Sequence, residues 1–393
     1  MSATTVAVIG GGVVGAAVLH TLAHRGVDAV LLEADDDLAY GASGTNSGIL
    51  HTGFDSTHGE LETELVLRAA ALRDRVLDAL SIPVLRCGAE LLPRTEEDGG
   101  TVAALAENAR RNGVSVHRRE EDGALLVPGE SVTDPVAFTI ALAEAAVGAG
   151  ATLRTGARVE GIGRGSDALT LHLGDGDHLT CRVAVNCAGL YADAVARLVG
   201  DDSFEIYPRK GEFFVFEPPA GAGLDRILLP VPTERTKGVL VFPTLDGKVV
   251  AGPTAVDGKD KTDWSVRPGA EREVVAKAAV LFPVLDGLAP VASYAGLRPA
   301  GRGTNYVIGP STACPRLVNV AAVRSTGLTA SLGIGAHVAD LLPALGVEVG
   351  PERAPAPAPA AAKADILWWQ RTAYRHGLVP APPPPSPLPP PRR

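Results

Sequence analysis

The chain opens on a β-branched apolar run from Thr4 to Ile9, continues with helically spaced apolar residues from Val13 to Arg25, and returns to a short apolar run from Asp28 to Glu33. Short unbroken apolar runs on either side of a helix predict strands buried on both faces, so this is a strand–helix–strand unit with a parallel sheet. Leu61, Leu65, Leu72, Val76, Leu77 and Leu80 recur at helical intervals between Gly59 and Leu80, and Pro83 ends the pattern. Further helices are predicted from Thr101 to Asn112 and from Pro135 to Gly148. Thr152 to Arg154, Arg158 to Ile162, Leu169 to Leu173 and Val183 to Val185 predict strands returning to the first sheet, with a turn at Gly174 to Gly176. Alternating apolar positions then crowd the stretch from Glu205 to Thr254, in Phe213 to Phe216, Ile227 to Val231, Gly238 to Phe242 and Lys248 to Gly252. They predict a second, antiparallel sheet. Val318 to Ala322 and Leu328 to Leu341 read as a strand and a helix back in the first domain.

From Pro351 the pattern breaks. Thirteen of the 31 prolines lie in the last 43 residues, with an Ala/Pro linker from Ala354 to Ala362 and an almost continuous proline run from Ala381 to Arg393. That composition favours extended polyproline and cannot bury enough apolar surface to fold, so a disordered tail is expected. A terminal PxxP run is also the kind of segment that enters an aromatic-lined groove, so the tail could bind a partner. Between the two stretches, Ala364 to Gly377 holds Trp368, Trp369 and Tyr374, either as a helix docked on the body, which this reading favours, or as a partner-binding element.

Charge and composition remove several functions. With 36 basic and 45 acidic side chains the net charge is −9, which repels phosphate backbones and anionic lipid, so nucleic acid is not an expected partner and any anion must meet a local cluster of cations. The four cysteines, Cys87, Cys181, Cys187 and Cys314, form no CxxC pair, which argues against a disulfide framework and a metal or iron–sulfur centre. The longest apolar run, Val6 to Leu19, has 14 residues and holds four glycines, too short to cross a membrane. No basic segment or cleavage site marks the N-terminus, so a cytoplasmic protein is expected.

The strand–helix junction carries the most specific signal. Gly10, Gly12 and Gly15 form G-x-G-x-x-G between the first strand and helix, and Glu33 ends the next strand 23 residues after Gly10. Gly10 permits the tight turn, Gly12 lets backbone approach a diphosphate, Gly15 allows close packing of helix on strand, and the helix N-terminus offers free N–H groups beside Val13 and Val14. Glu33 suits ribose hydroxyls and repels a 2′-phosphate. This fingerprint serves NAD and FAD alike; the small, polar stretch Gly41 to Gly53, with Ser43, Thr45, Asn46, Ser47 and Gly48, favours FAD because it can run beneath an extended cofactor. Val159, the turn at Cys187, Ala188 and Gly189, and the Gly327, Leu328, Thr329 start of the last helix complete the expected cofactor contacts. That helix would aim its dipole at the anionic edge of a reduced flavin. The expected fold is therefore α/β, α+β overall. A Rossmann-type FAD-binding domain (1–82, 136–203 and 296–350) interleaves with a sheet-based substrate domain (83–135 and 204–295), and the tail occupies 351–393.

Asn46 to Gly53, Lys237 to Thr244, Gly252 to Ala255, Ala295 to Pro299 and Ser325 to Ser331 resemble the FAD-dependent oxidoreductases of the D-amino-acid-oxidase-like superfamily. Within it the chain is similar to the glycerol-3-phosphate dehydrogenase and L-2-hydroxyglutarate dehydrogenase branches, over about residues 4 to 342. It lacks the long C-terminal helical domain and the Cys-rich domain of parts of the glycerol-3-phosphate family. The resemblance implies a small anionic substrate held at the flavin face between the two domains.

Oxidising a secondary alcohol moves a hydride to flavin and a proton to a base. His51, at the end of the cofactor-hugging loop, is the expected base, since imidazole titrates near neutrality. Arg298, in Gly-Leu-Arg-Pro, is the expected anion clamp and a cofactor contact, with Lys237 as its helper and Arg324 near the flavin. Arg209 and Lys210 are assigned to the sheet surface, and Tyr191 and Asp193 to stabilising a helix start. No metal is expected. The expected function is oxidation of glycerol-3-phosphate or a 2-hydroxy acid; an amine or amino-acid oxidase on the same fold is the alternative, and a flavin-bearing interaction protein a third reading. Oxygen, a quinone or a carrier protein all remain open as electron acceptor.

Overall fold

The computed structural model describes residues 2–232, 238–354 and 368–375. The first strand, Ser2–Ile9, runs parallel to Ala29–Leu32 on one side and to His178–Asn186 on the other. Thr152–Arg154 extends the sheet beyond Ala29–Leu32, and Leu317–Ala321 pairs in parallel with the end of His178–Asn186. An antiparallel hairpin, Val159–Arg164 with Leu169–Leu173, and the edge strand Val307–Pro310 bring the sheet to eight strands. Val6, Ala7 and Val8 are fully buried, which is why this strand reads as a continuous apolar run rather than an alternating one.

Four helices form the layer on one face: Val13–His24, Leu61–Ala79, Pro135–Gly148 and Gly327–Leu341. Pro135 opens its helix at a position whose N–H would be unpaired anyway, and Asp134 caps it by accepting from Val136 and Ala137 N–H at 2.8 and 2.9 Å. Gly327–Leu341 packs between two others through bare backbone. A Cβ on Gly333 would lie 2.1 Å from the Leu65 carbonyl, and one on Gly335 would lie 2.7 Å from that of Ala17. With the turn that follows, Gly327–Leu345 is 19 residues long and apolar enough to cross a membrane, yet 67% of it is buried inside this layer, the mark of a core helix.

The second sheet has nine strands. Its spine is Ile206–Phe216, paired antiparallel with Ala292–Gly301 on one side and with Val249–Gly252 on the other. Leu240–Pro243 and Ile227–Leu229 continue it, and Ile227–Leu229 then pairs in parallel with Ala89–Leu91. The sheet is therefore mixed rather than purely antiparallel, because residues before 135 and after 204 both feed it. A three-stranded sheet, Ile49–Leu50 with Ser131–Thr133 and Val84–Leu85, joins the two regions.

Three local expectations change. Arg298 lies within the strand Ala292–Gly301, which crosses the boundary drawn at 295/296. The helix expected from Thr101 starts at Glu96, because Thr95 and Asp98 form a capping box. Helix Ala270–Leu281, unforeseen in the sequence, covers the second sheet with Val274 and Ala278 fully buried.

The Trp-bearing segment is a helix, Trp368–Arg375, docked on the body. Trp368 and Trp369 are 4% and 6% exposed, and Trp368 meets Tyr294 edge to face at 5.6 Å between ring centroids. Tyr294 in turn stacks on Phe213 at 5.0 Å. Arg371 lies over the Tyr40 ring and pairs with Asp37. The Ala/Pro linker beyond Ala354 and the terminal proline run, with the disorder and partner binding expected of them, lie outside the described residues.

Two predictions follow from this packing. Replacing the buried Trp368 with Ala should cost about 3–5 kcal/mol, read as a lower urea midpoint; a cost under about 1 kcal/mol would mean the helix does not dock. Gly15→Ala would put a Cβ 1.9 Å from the Gly10 carbonyl and should abolish folding, whereas Gly99→Ala, in a helix with open space around it, should raise stability by about 0.5–1 kcal/mol in the same assay.

Candidate active site

The sequence fingerprint folds as its chemistry requires. Gly10 takes φ of +113°, and a Cβ there would lie 2.5 Å from the Cys187 carbonyl. First strand, first helix and the Cys187 turn thus cross at backbone contact. Helix Val13–His24 starts from Gly12 with no acidic residue in its first turn, and so does Gly327–Leu341 from Thr326, which leaves two positive helix ends for anionic groups.

Both ends open on one cavity of ≈ 920 Å³, which reaches from Glu33, Ala157 and Val159 on the first sheet to Phe213 and Arg298 on the second. Of the expected cofactor contacts, Gly10, Gly12, Val13, Val14, Glu33, Ser43, Thr45, Asn46, Ser47, Val159, Ala188, Gly189, Arg298, Gly327 and Leu328 line it. Gly15, Gly48 and Thr329 do not, and each has a packing role instead. Gly15 sits against Gly10, and Gly48, at φ of +78°, against the Thr133 carbonyl. Thr329 accepts from the His51 N–H at 3.0 Å and donates to the Ile49 carbonyl at 3.3 Å. Lys237 lies outside the described residues.

Several polar groups on the wall are engaged with the chain itself. Glu33 accepts from the N–H groups of Gly11 and Asp35. Burial pushes its carboxyl up from the ordinary range, and those backbone donors work against the rise. A carboxylate has about four acceptor sites, so room remains for two hydroxyl donors. Ser43 Oγ accepts from Val13 N–H at 2.9 Å, and Asn46 Oδ1 from Gly48 N–H at 2.9 Å, so these side chains shape the loop that walls the cavity. Burial pushes the Cys187 thiol well up, in keeping with an inert residue.

At the substrate-side end His51 is a quarter exposed and lies on the cavity wall. Its Nδ1 meets Glu130 Oε2 at 2.8 Å, while Glu130 Oε1 accepts from the Thr52 N–H and hydroxyl at 2.7 and 2.9 Å. Glu130 is fully buried. Arg73, 7% exposed, donates to the carbonyls of Leu50 and His51 at 3.3 and 2.8 Å. Neither Glu130 nor Arg73 stands in a motif; the available signal was a lone acid in the turn Pro128, Gly129, Glu130.

Arg298, Arg209 and Arg324 also line the cavity, Arg324 paired with Glu62 at 3.8 Å. Arg209 and Arg298 are directly opposite each other on paired strands, which corrects the placing of Arg209 on the sheet surface. Lys210, the next residue, points the other way and pairs with Asp263 at 2.6 Å. Arg298 donates to the Thr254 carbonyl, and burial, with Arg209 and Arg324 nearby, pulls its guanidinium down to about 10. Like charges directly opposite across a strand pair repel, so the two guanidinium groups stand on this wall without neutralising each other. Tyr191 also lines the cavity, while Asp193 is buried and paired with Lys261 and Arg197. No cluster of His, Cys, Asp and Glu fit to hold a metal occurs among the described residues.

The chain is similar to known proteins in sequence and in fold. The chain is 28% identical over 352 residues to a glycerol 3-phosphate dehydrogenase of Caloramator mitchellensis, covering 86% of this chain and 73% of that protein. It is 29% identical over 277 residues to the mitochondrial L-2-hydroxyglutarate dehydrogenase of Mus musculus, covering 63% and 60%. The dithionite-reduced L-α-glycerophosphate oxidase of Mycoplasma pneumoniae with FAD bound superposes with a TM-score of 0.84 at 24% identity, over 91% of this chain and 99% of that one. The DAO family of FAD-dependent oxidoreductases matches residues 5–341. A cavity of ≈ 920 Å³ onto which two helix N-termini open, with the half-buried Glu33 after the second strand, fits FAD, and the chain belongs to this family of FAD-dependent oxidoreductases.

Proposed function

We propose that the protein oxidises a small anionic secondary alcohol, of which glycerol 3-phosphate fits best and a 2-hydroxy acid next. One observation carries the reading: a histidine whose ring is held by a buried carboxylate shares its cavity with two arginines that face each other across a strand pair. A phosphate-bearing substrate is favoured because two guanidinium groups, Arg209 and Arg298, face each other on that wall, while Arg324 is paired with Glu62 at 3.8 Å. The glycerol 3-phosphate dehydrogenase also matches more of this chain, 86% against 63% for the hydroxyglutarate enzyme.

When bound, FAD supplies the two-electron oxidant that takes the hydride from the carbinol carbon. Gly10, Gly12 and the N-terminus of Val13–His24 would hold its diphosphate, Glu33 its ribose, and the Ser43–Ser47 loop with Gly327 and Leu328 the ring. Arg298 and Arg209 grip the substrate anion and so fix the distance of the carbinol from His51. With Nδ1 facing Glu130, His51 offers Nε2 to the cavity, where it takes the hydroxyl proton as the C–H bond breaks and the carbon–oxygen bond becomes a carbonyl.

The test is anaerobic mixing of the yellow protein with glycerol 3-phosphate, L-2-hydroxyglutarate and glycine, followed by the visible flavin absorbance. Glycerol 3-phosphate should bleach it; bleaching by the amine alone would overturn the reading in favour of an amine oxidase. His51→Ala should slow bleaching about 10²-fold, the usual share of general-base catalysis. Arg298→Ala should raise the substrate concentration needed for half-maximal rate at least about tenfold, the loss of one charge-assisted contact.

A further inference from the structure

We propose that Glu130 and Arg73 are positioning residues that set the proton affinity of His51 in opposite directions. The inference rests on His51 acting as the base, and it deepens that reading by assigning two residues that touch neither substrate nor cofactor.

Glu130 is fully buried, and its carboxylate accepts from three donors: the His51 ring, the Thr52 N–H and the Thr52 hydroxyl. A buried carboxylate costs several kcal/mol unless it is paired and hydrogen-bonded, so an acid kept at such a place needs a charge to serve. The surrounding backbone is built to seat it. A Cβ on Gly129 would lie 2.8 Å from the Thr52 methyl, so the turn that delivers Glu130 reaches His51 because that residue is glycine. Gly88 N–H donates to the Glu130 carbonyl at 2.9 Å and ties the turn to the second sheet.

Arg73 balances this acid. It projects from helix Leu61–Ala79, is 7% exposed and has both of its hydrogen bonds on the carbonyls of Leu50 and His51. No carboxylate stands within ion-pair distance of it among the described residues. It holds the His51 backbone from one side while Glu130 holds the ring from the other. Burial pulls its guanidinium down, and Glu130 and Asp74 counter that.

The ring is thus fixed at Nδ1 by a negative charge, with a positive charge beneath its backbone. Glu130 requires the proton on Nδ1 in the neutral ring, which leaves the Nε2 lone pair for the substrate hydroxyl. When Nε2 takes that proton, the substrate oxygen loses it and the imidazolium gains an adjacent carboxylate. The other charged groups that share the cavity with the ring are Asp55 from the loop after it, Glu60 and Glu62 at the start of the Arg73 helix with Arg324 paired to Glu62 at 3.8 Å, Arg209 and Arg298 on the second sheet, and Glu33, Asp35 and Arg158.

The two residues make predictions of opposite sign. Glu130→Gln in the FAD-loaded protein should lower the rate of flavin reduction about 10²-fold and move the acid limb of its pH profile to lower pH, by about one unit. Arg73→Gln should move that limb to higher pH. Structural damage would depress both rates without shifting the limbs apart. Titration of the His51 ring by NMR in both variants, without substrate, reads the same two shifts independently of which compound is oxidised. Opposite shifts support the assignment; limbs that stay put, or move together, overturn it. FAD affinity and urea midpoint check that each variant is folded, and Glu130→Asp, which keeps the charge, should restore the limb if Gln disturbs the turn. If His51→Ala leaves reduction unchanged, it is the base assignment that fails, whereas a silent Glu130→Gln beside a damaging His51→Ala sinks this inference alone.

Discussion

Backbone contact between the first strand, the first helix and the Cys187 turn is the constraint on which the rest depends. Gly10 and Gly15 touch, and Gly10 also touches the Cys187 carbonyl, at distances no side chain would allow. Because these three elements cross so closely, the helix N-terminus opens into the cavity, with Ser43 Oγ taking only the Val13 N–H. The same device recurs where Gly333 and Gly335 let Gly327–Leu341 slide between two helices, which brings a second positive helix end to the same cavity. Cofactor binding is in this sense a by-product of tight packing: small residues draw the helices in, and their N-termini face one space.

The electrostatics of the other end follow a different logic. A chain with net charge of −9 repels anions at long range, so its cations must be concentrated where an anion is wanted. Pairing Arg209 directly with Arg298 across two strands costs stability in the empty cavity. Arg209 is partly offset by Asp257 at 3.5 Å, and Arg298 by a backbone carbonyl, so neither charge is fully neutralised. Such strain is characteristic of sites whose partner is supplied by the ligand.

What the sequence revealed was local. Gly10, Gly12, Glu33, His51 and Arg298 were legible because each sits in a short motif whose spacing carries its own geometry, and all five line the cavity. Gly15 packs helix on strand as its place in the fingerprint implies, whereas Gly48 and Thr329, read as cofactor contacts, engage backbone instead, since a motif preserves the turn as well as the contact. Glu130 was hidden because it lies 79 residues from His51 in an unremarkable turn; nothing in linear spacing joins a turn before one strand to a loop after another. Arg209 and Lys210 were taken together as surface, although successive strand residues face opposite ways, one to the cavity and one to Asp263. The mixed pairing of Ile227–Leu229 with Ala89–Leu91 escaped for the same reason as Glu130: it joins segments more than a hundred residues apart.

The proposed reaction requires one cavity to hold an alcohol with its anion on the arginines and its hydroxyl at His51. The most direct measurement is a crystal structure of the FAD-loaded protein with an unreactive phosphate-bearing analogue, in which the secondary hydroxyl is kept and the reacting hydrogen is replaced. The phosphate should lie on Arg209 and Arg298 and the hydroxyl within hydrogen-bond distance of His51 Nε2. A phosphate seated away from both arginines, or a hydroxyl turned away from His51, would contradict it.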